Sequence, residues 1–305
     1  MIWFFVAIIA PFLYAVTNYI DKMLLEKYFK NNGAGTILLF SALVSFFALP
    51  FLFLMDPTIL DISGKNIFIL LIVGILNSLV LLCYLIALKD EEASIVVVFY
   101  QLVPVFGAVL GYFFLGEVLT KIQIIAMAII IFGTTIISFE VDADNKFKLR
   151  KKTILPMLAA ALFWAIESVL FKSAALEEDL WKSLFWEHVA LVLVGILIFV
   201  FIKTYRKSFL LAIKSNSKAI LSFNFANETI YILGNVASGA AYLLAPVGLV
   251  LLTESFQPIF VLIIGVLLTM FFPKITVEKV RARHLWQKII AIGITGVGTC
   301  LLLGL

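Results

Sequence analysis

The sequence is poor in the groups that enzymes and metal-binding proteins use most. Two cysteines, Cys83 and Cys300, and two histidines, His188 and His284, are all that occur in 305 residues. Both cysteines lie in apolar runs without a plausible ligand partner, which excludes a disulfide framework and a Cys/His metal site. Charged residues make up only 14% of the chain against 63% hydrophobic ones, too little polar surface to cover a soluble domain. Pro-rich and Ser/Gly-rich tracts are missing, and no linker exceeds about 15 residues. There is also no Gly-rich phosphate loop, nucleophile elbow or zinc signature, so neither a cofactor nor enzymatic activity is expected.

What the chain does have is long apolar runs. They fall at 2–20, 35–55, 67–88, 94–115, 122–139, 153–175, 183–202, 219–242, 247–272 and 285–304. Each is close to the roughly 20 residues that a bilayer-spanning helix needs. The expectation is an all-α integral membrane protein with ten transmembrane helices, multi-pass in the cell (plasma or inner) membrane. The first run lacks a basic leader and a small-residue cleavage site, and it reads as a helix rather than a removable signal. Lys and Arg number eighteen on the odd-numbered loops and four on the even-numbered ones, with Lys172 at the end of the sixth run counted with the loop that follows it. By the positive-inside rule the odd loops face the cytoplasm and both termini lie outside. The clusters Lys146, Lys148, Arg150, Lys151, Lys152 and Lys203, Arg206, Lys207 read as topology determinants, so no nucleic-acid partner is expected.

The two halves resemble each other. Tyr14-Ala15-Val16 through Lys22 matches Trp164-Ala165-Ile166 through Lys172, and Tyr84-Leu85 matches Tyr242-Leu243. Pro104-Val105-Phe106 matches Pro258-Ile259-Phe260, and Ala126 with Gly133-Thr134 matches Ala291 with Gly298-Thr299. Order is kept throughout, which points to a duplicated unit of five helices, 1–145 and 146–305. An odd number of spans forces the two copies into opposite orientations, giving two inverted five-helix repeats of the kind that secondary transporters use.

The stretch Ala93-Ser94 through Leu102-Val103-Pro104-Val105-Phe106 to Phe114-Leu115-Gly116-Glu117, followed by Gln123 and Gly133, resembles the drug/metabolite transporter superfamily. Its closest likeness there is to the EamA-like ten-helix transporters, and Lys22 and Lys172 at the ends of helices one and six belong to the same pattern. The second copy departs from it, with Phe271-Phe272-Pro273-Lys274 where a second Gly-Glu hairpin is common. The resemblance implies export or exchange of small metabolites, often amino acids or their relatives, driven by a proton gradient or a counter-substrate. It also implies cytoplasmic termini, against the charge distribution. The partners expected are a small-molecule substrate and the bilayer, and a homodimer is compatible with both. An ion channel and a membrane-embedded enzyme or assembly factor are the competing classes.

Polar groups at membrane depth are costly, so they mark the place to look for function. Asn224, Glu228, Tyr231 and Asn235 recur at helical spacing and fall on one face of the eighth run. Glu228, near the middle, is the candidate proton carrier, because a desolvated carboxyl holds its proton more readily than a hydrated one. Interhelical hydrogen bonding is the alternative role for this stripe. Glu167 in the sixth run and Asn18 in the first are cavity-lining candidates at equivalent depth. Pro104 and Pro258 release the carbonyls of Tyr100 and Glu254 from helical bonding. With Gln101 and Gln257, these residues would form a polar wall for substrate, or the prolines simply kink the bundle. Glu254, farther from the centre of its run than Glu228, is expected to be the more hydrated of the two. Lys22 and Lys172 are expected to snorkel to the headgroups, or otherwise to hold an anionic group. Trp186, Glu187 and His188 fit an interfacial aromatic belt with polar neighbours, although a proton relay is conceivable there. Glu117 is read as a hairpin residue.

Overall fold

In the computed structural model, residues 2–29, 33–115, 120–137, 139–141, 147–245, 247–271 and 282–303 are described. The helices, in chain order, are α1 (Ile2–Tyr28), α2 (Gly33–Met55), α3 (Gly64–Asp90) and α4 (Ala93–Phe114), then α5 (Lys121–Ile137). They continue with α6 (Lys151–Glu177), α7 (Leu180–Phe201), α8 (Lys203–Leu244), α9 (Val250–Phe271) and α10 (Ala282–Leu303). Among the described residues seven of these, α1–α4, α6, α7 and α9, are long and apolar enough to cross a membrane. Phe5, Phe113 and Phe201 are 67%, 73% and 76% exposed, a periphery made for lipid rather than water. The chain is a multi-pass membrane protein.

One element departs from an all-α reading. β1 (Phe139–Val141) and β2 (Phe147–Leu149) pair antiparallel, with Glu140 opposite Lys148, between the two halves of the chain. Short alternating triplets suit paired strands better than a continued helix. Glu117 and the basic Lys146, Lys274, Lys279 and Arg281 lie outside the described residues, as do Phe272 and Pro273.

The packing pairs equivalent helices. α3 packs on α6 and α8 on α1, α4 on α6 and α9 on α1, and α7 crosses α2. α5 and α10 lie together through their small residues. A Cβ built at Gly133 would meet the Ala291 carbonyl oxygen at 3.2 Å, and one built at Gly298 would meet the Ala126 carbonyl oxygen at 2.9 Å. Contacts thus run from Ala126–Gly298 to Gly133–Ala291, descending along α10 as they ascend along α5, so the two helices are antiparallel. Small residues let backbones approach this closely where lipid offers no hydrophobic drive to associate.

α8 runs without interruption through residues 203–218, where the sequence reading placed a loop. It is not straight. The Tyr205 ring occupies the space beside Gly35, while Glu228 reaches Ser41 on the same helix α2. Those α2 positions are about 9 Å apart, whereas a straight helix from 205 to 228 would cover about 35 Å. A bend between them turns the basic N-terminal stretch of α8 back along α2 and leaves Asn224–Leu244 to traverse the core.

Candidate functional site

A cavity of about 90 Å³ lies where α1, α3, α6 and α8 cross, with α2, α4, α7 and α9 completing its wall. That is room for several waters or a small solute. Gly74 on α3 helps to create it: a Cβ there would meet the Glu187 carbonyl oxygen at 2.6 Å and the Ala190 Cβ at 2.5 Å. The bare backbone draws α7 against α3 and brings Glu187 to Asn77, whose Nδ2 donates to Oε1 at 2.7 Å.

The stripe expected on α8 faces this cavity as a unit, since Asn224, Glu228, Tyr231 and Asn235 all line it. Each is also tied down. Asn224 Nδ2 donates to its own helix at Ile220 O, 2.7 Å away. The Glu228 carboxylate accepts from the hydroxyls of Ser41 and Ser45, the latter at 2.8 Å. Tyr231 donates to Asn77 Oδ1 at 3.0 Å, and Tyr14 donates to Asn235 Oδ1 at 2.6 Å. Interhelical bonding and cavity lining, alternatives from sequence, are both properties of Glu228, Tyr231 and Asn235, whereas Asn224 lines the cavity and bonds only within α8.

Asn18, Tyr100, Glu167 and Gln257 line the cavity as well. Asn18 Nδ2 donates to Tyr84 Oη at 2.8 Å, and Gln257 Nε2 donates to Asn18 Oδ1 at 2.8 Å. In the equivalent place of the second half, Tyr242 donates to Ser168 Oγ at 3.0 Å. Glu167 has no hydrogen-bond partner among the described residues and turns its carboxyl to the open space.

Two expected site residues stand back from the wall. Gln101 is 1% exposed, lines no part of the cavity, and neither atom of its amide has a partner. Glu254 sits one layer behind, accepting from the cavity-lining Ser238 at 3.3 Å. At 1% exposed it is no more hydrated than Glu228 at 3%, contrary to the estimate from its place along the run. Helix packing, not distance from the helix centre, decides solvation here.

The proline-released carbonyls are not free. Before Pro104 the helix tightens to a 3₁₀ turn over Val97–Leu102, and the Val103 N–H bonds to Tyr100 O. Before Pro258 the same happens over Glu254–Phe256, with the Gln257 N–H on Glu254 O. Local 3₁₀ adjustment satisfies what proline would orphan. Tyr100 and Gln257 therefore serve the cavity through their side chains.

The sequence reading missed several members of the wall. Asp21 was assigned to a loop because the first run was ended at residue 20. In the structure the helix continues, Asp21 is 4% exposed, and its carboxylate accepts from Asn227 Nδ2 at 2.7 Å. Glu187 and His188 are 2% and 0% exposed, not interfacial, because α7 starts at Leu180 and carries them about two turns inward. His188 Nδ1 bonds Leu184 O at 2.7 Å and lies outside the cavity wall. Aromatic rings form the other missed part: Tyr84, Tyr100, Trp164, Tyr14 and Tyr231 follow one another, with centroid separations of 5.9, 4.8, 6.1 and 5.4 Å. Tyr14 and Trp164 occupy matching positions in the two halves, a pattern visible in the sequence but not weighed as a site.

Lys22 and Lys172 do not snorkel. Lys22 Nζ donates to Leu88 O at 2.9 Å and Glu91 O at 2.7 Å, and Lys172 Nζ donates to Ala245 O at 2.7 Å. Each ammonium caps the C-terminal end of the neighbouring long helix, α3 or α8, where the carbonyls lack helical donors and the dipole is negative.

The first half of the chain, with its kinked α4 and capped α3, has a counterpart among known sequences: residues 1–139 match the EamA-like transporter family. Over those residues the chain is similar to EamA-like transporters. That family is one of membrane transporters. No curated protein matches the sequence. One solved crystal structure aligns with 98% of this chain and 94% of its own, at a TM-score of 0.56 and 14% identity. At that identity the likeness is one of fold, and it extends across both the EamA-like segment and the remainder.

Proposed function

We propose that the protein is a secondary active transporter that exports or exchanges a small metabolite across the cell membrane by alternating access. In this reading all ten helices span the bilayer as two inverted five-helix repeats, 1–145 and 146–305, and the cavity between them is the substrate site. The carrying observation is that one polar cavity is walled by equivalent helices of both halves, α1 with α6 and α3 with α8. Transporter sites formed at the interface of repeats have this arrangement. The antiparallel contact of Gly133 with Ala291 and of Gly298 with Ala126 supports the inverted relationship. Asn18, Tyr100, Glu167, Asn224, Glu228, Tyr231, Asn235 and Gln257 are then the substrate-facing residues, with Gln101 and Glu254 behind them. Glu228 remains the proposed proton carrier, being the carboxyl that links α8 to α2 through Ser41 and Ser45.

Purified protein in liposomes should give saturable uptake and counterflow of a preloaded solute. Flux that rises linearly with concentration and shows no counterflow would point to a channel instead. By the charge distribution both termini face outside, and a reporter fused after Leu305 that is active only in the cytoplasm reverses that orientation.

A further inference from the structure

Among the residues that line the cavity are four acids, Asp21, Glu167, Glu187 and Glu228, and no lysine, arginine or histidine. The bases nearest in the chain are engaged elsewhere. Lys22 and Lys172 cap helix ends, while Arg150 pairs with Glu91 and Lys288 with Glu92, the latter at 2.5 Å. No cationic side chain lines the wall to match an anionic group on a ligand.

The hydrogen-bond directions point the same way. Asn18 Nδ2 donates to the Tyr84 hydroxyl. That fixes Asn18 Oδ1 as acceptor for Gln257 Nε2 and leaves Gln257 Oε1 with no donor, although the residue is only 1% exposed. Asn227 is polarised likewise: Nδ2 is used on Asp21 and Oδ1 has no partner. Three amide donors of the wall are thus spent within it, on Tyr84, Asn18 and Asp21, while the Glu167 carboxyl lines the open space with no hydrogen-bond partner among the described residues. An acceptor without a donor is costly to bury, so a ligand that donates to Glu167 completes the site. Beside these acceptors runs the chain of rings from Tyr84 to Tyr231, and aromatic faces attract cations.

We propose that the substrate is a small organic ammonium compound with no carboxylate of its own, held by Glu167 and Glu187 with its carbon skeleton against the rings of Tyr100 and Trp164. This rests on the cavity being the transport site, and it departs from the amino acids that the family resemblance implies. An amino acid's carboxylate would be buried here without a basic partner and against four acids.

The test uses three solutes with one skeleton: isopentylammonium, leucine and 4-methylpentanoate, which carry a cation, both charges and an anion. Binding to purified protein is read by thermal shift, and transport by counterflow in liposomes. Isopentylammonium should bind at least tenfold more tightly than leucine, and 4-methylpentanoate should not bind. Glu167→Gln should weaken the ammonium at least tenfold without altering the ligand-free melting midpoint, since Glu167 bonds to nothing in the wall. Asp61→Asn, at the surface, should leave binding unchanged. Tighter binding of leucine or of the acid, no binding of the ammonium, or equal affinity in Glu167→Gln each overturns the proposal. Counterflow of leucine alone would leave the transporter reading standing and remove the charge assignment. Binding of the ammonium without any transport would do the reverse.

Discussion

Replacing Gly298 by alanine should destabilise the fold although alanine is the better helix former. A Cβ at Gly298 would stand 2.9 Å from the Ala126 carbonyl oxygen and 3.1 Å from the Ile130 nitrogen. Both are backbone atoms of α5, which cannot rotate aside as a side chain could, so the helices must part by several tenths of an ångström. Overpacking of this kind costs about 1–3 kcal/mol. Against it stands the propensity gain of alanine over glycine in a helix, about 1 kcal/mol. Gly296, two residues earlier on α10, isolates that second contribution because a Cβ there meets nothing within 4 Å. The two variants should therefore differ by about 1–3 kcal/mol, Gly296→Ala being neutral or stabilised and Gly298→Ala destabilised. Reversible unfolding in mixed detergent micelles, followed by circular dichroism, measures the difference directly. If Gly298→Ala is as stable as Gly296→Ala, the close antiparallel packing of α5 on α10 is not present in the folded protein, and the support it lends to an inverted repeat is withdrawn.

Glu228→Gln should abolish accumulation driven by a pH gradient while leaving solute exchange. For one-to-one coupling, a one-unit gradient sustains about tenfold accumulation, and the variant should show about onefold. Unchanged pH dependence would make Glu228 a structural acceptor for Ser41 and Ser45. Lys288→Met should cost about 3 kcal/mol by stranding the Glu92 carboxylate, and Glu92→Gln in the same chain should recover most of it. A neutral single variant would show that the Lys288–Glu92 pair does not hold α10 to the α3–α4 connection. At the opposite end, the Asn66 amide and the Ser63 N–H hold the Glu178 carboxyl below the usual carboxylate range, at 2.8 and 3.0 Å. A depressed carboxyl stabilises the fold above its ordinary range, and the contribution vanishes as pH falls through the lowered value. Asn66→Ala should accordingly lose stability at neutral pH and converge on the parent protein in acid, and a pH-independent difference would contradict that assignment.

The membrane class, the internal likeness of the halves and the α8 stripe were legible in the sequence. Each rests on local information: about 20 apolar residues cross a bilayer wherever they occur, and helical periodicity places Asn224, Glu228, Tyr231 and Asn235 on one face whatever they meet. The site was legible only where an acid or amide interrupted a long apolar run. Asp21 and Glu187 escaped because they stood near run ends, and a shift of a few residues in the true helix limits turned apparent interface into interior. The carbonyls of Tyr100 and Glu254 were misjudged because 3₁₀ tightening, a response of the backbone to proline, is not written in composition. Which acceptors lack donors, which lysines cap which helices, and that no base among the described residues lines the cavity beside its four acids are matters of which helices touch. Those contacts join residues such as Asn18 and Gln257, 239 positions apart, and hydrogen bonds and charges act over a few ångströms of space, so only the folded arrangement of the helices decided them.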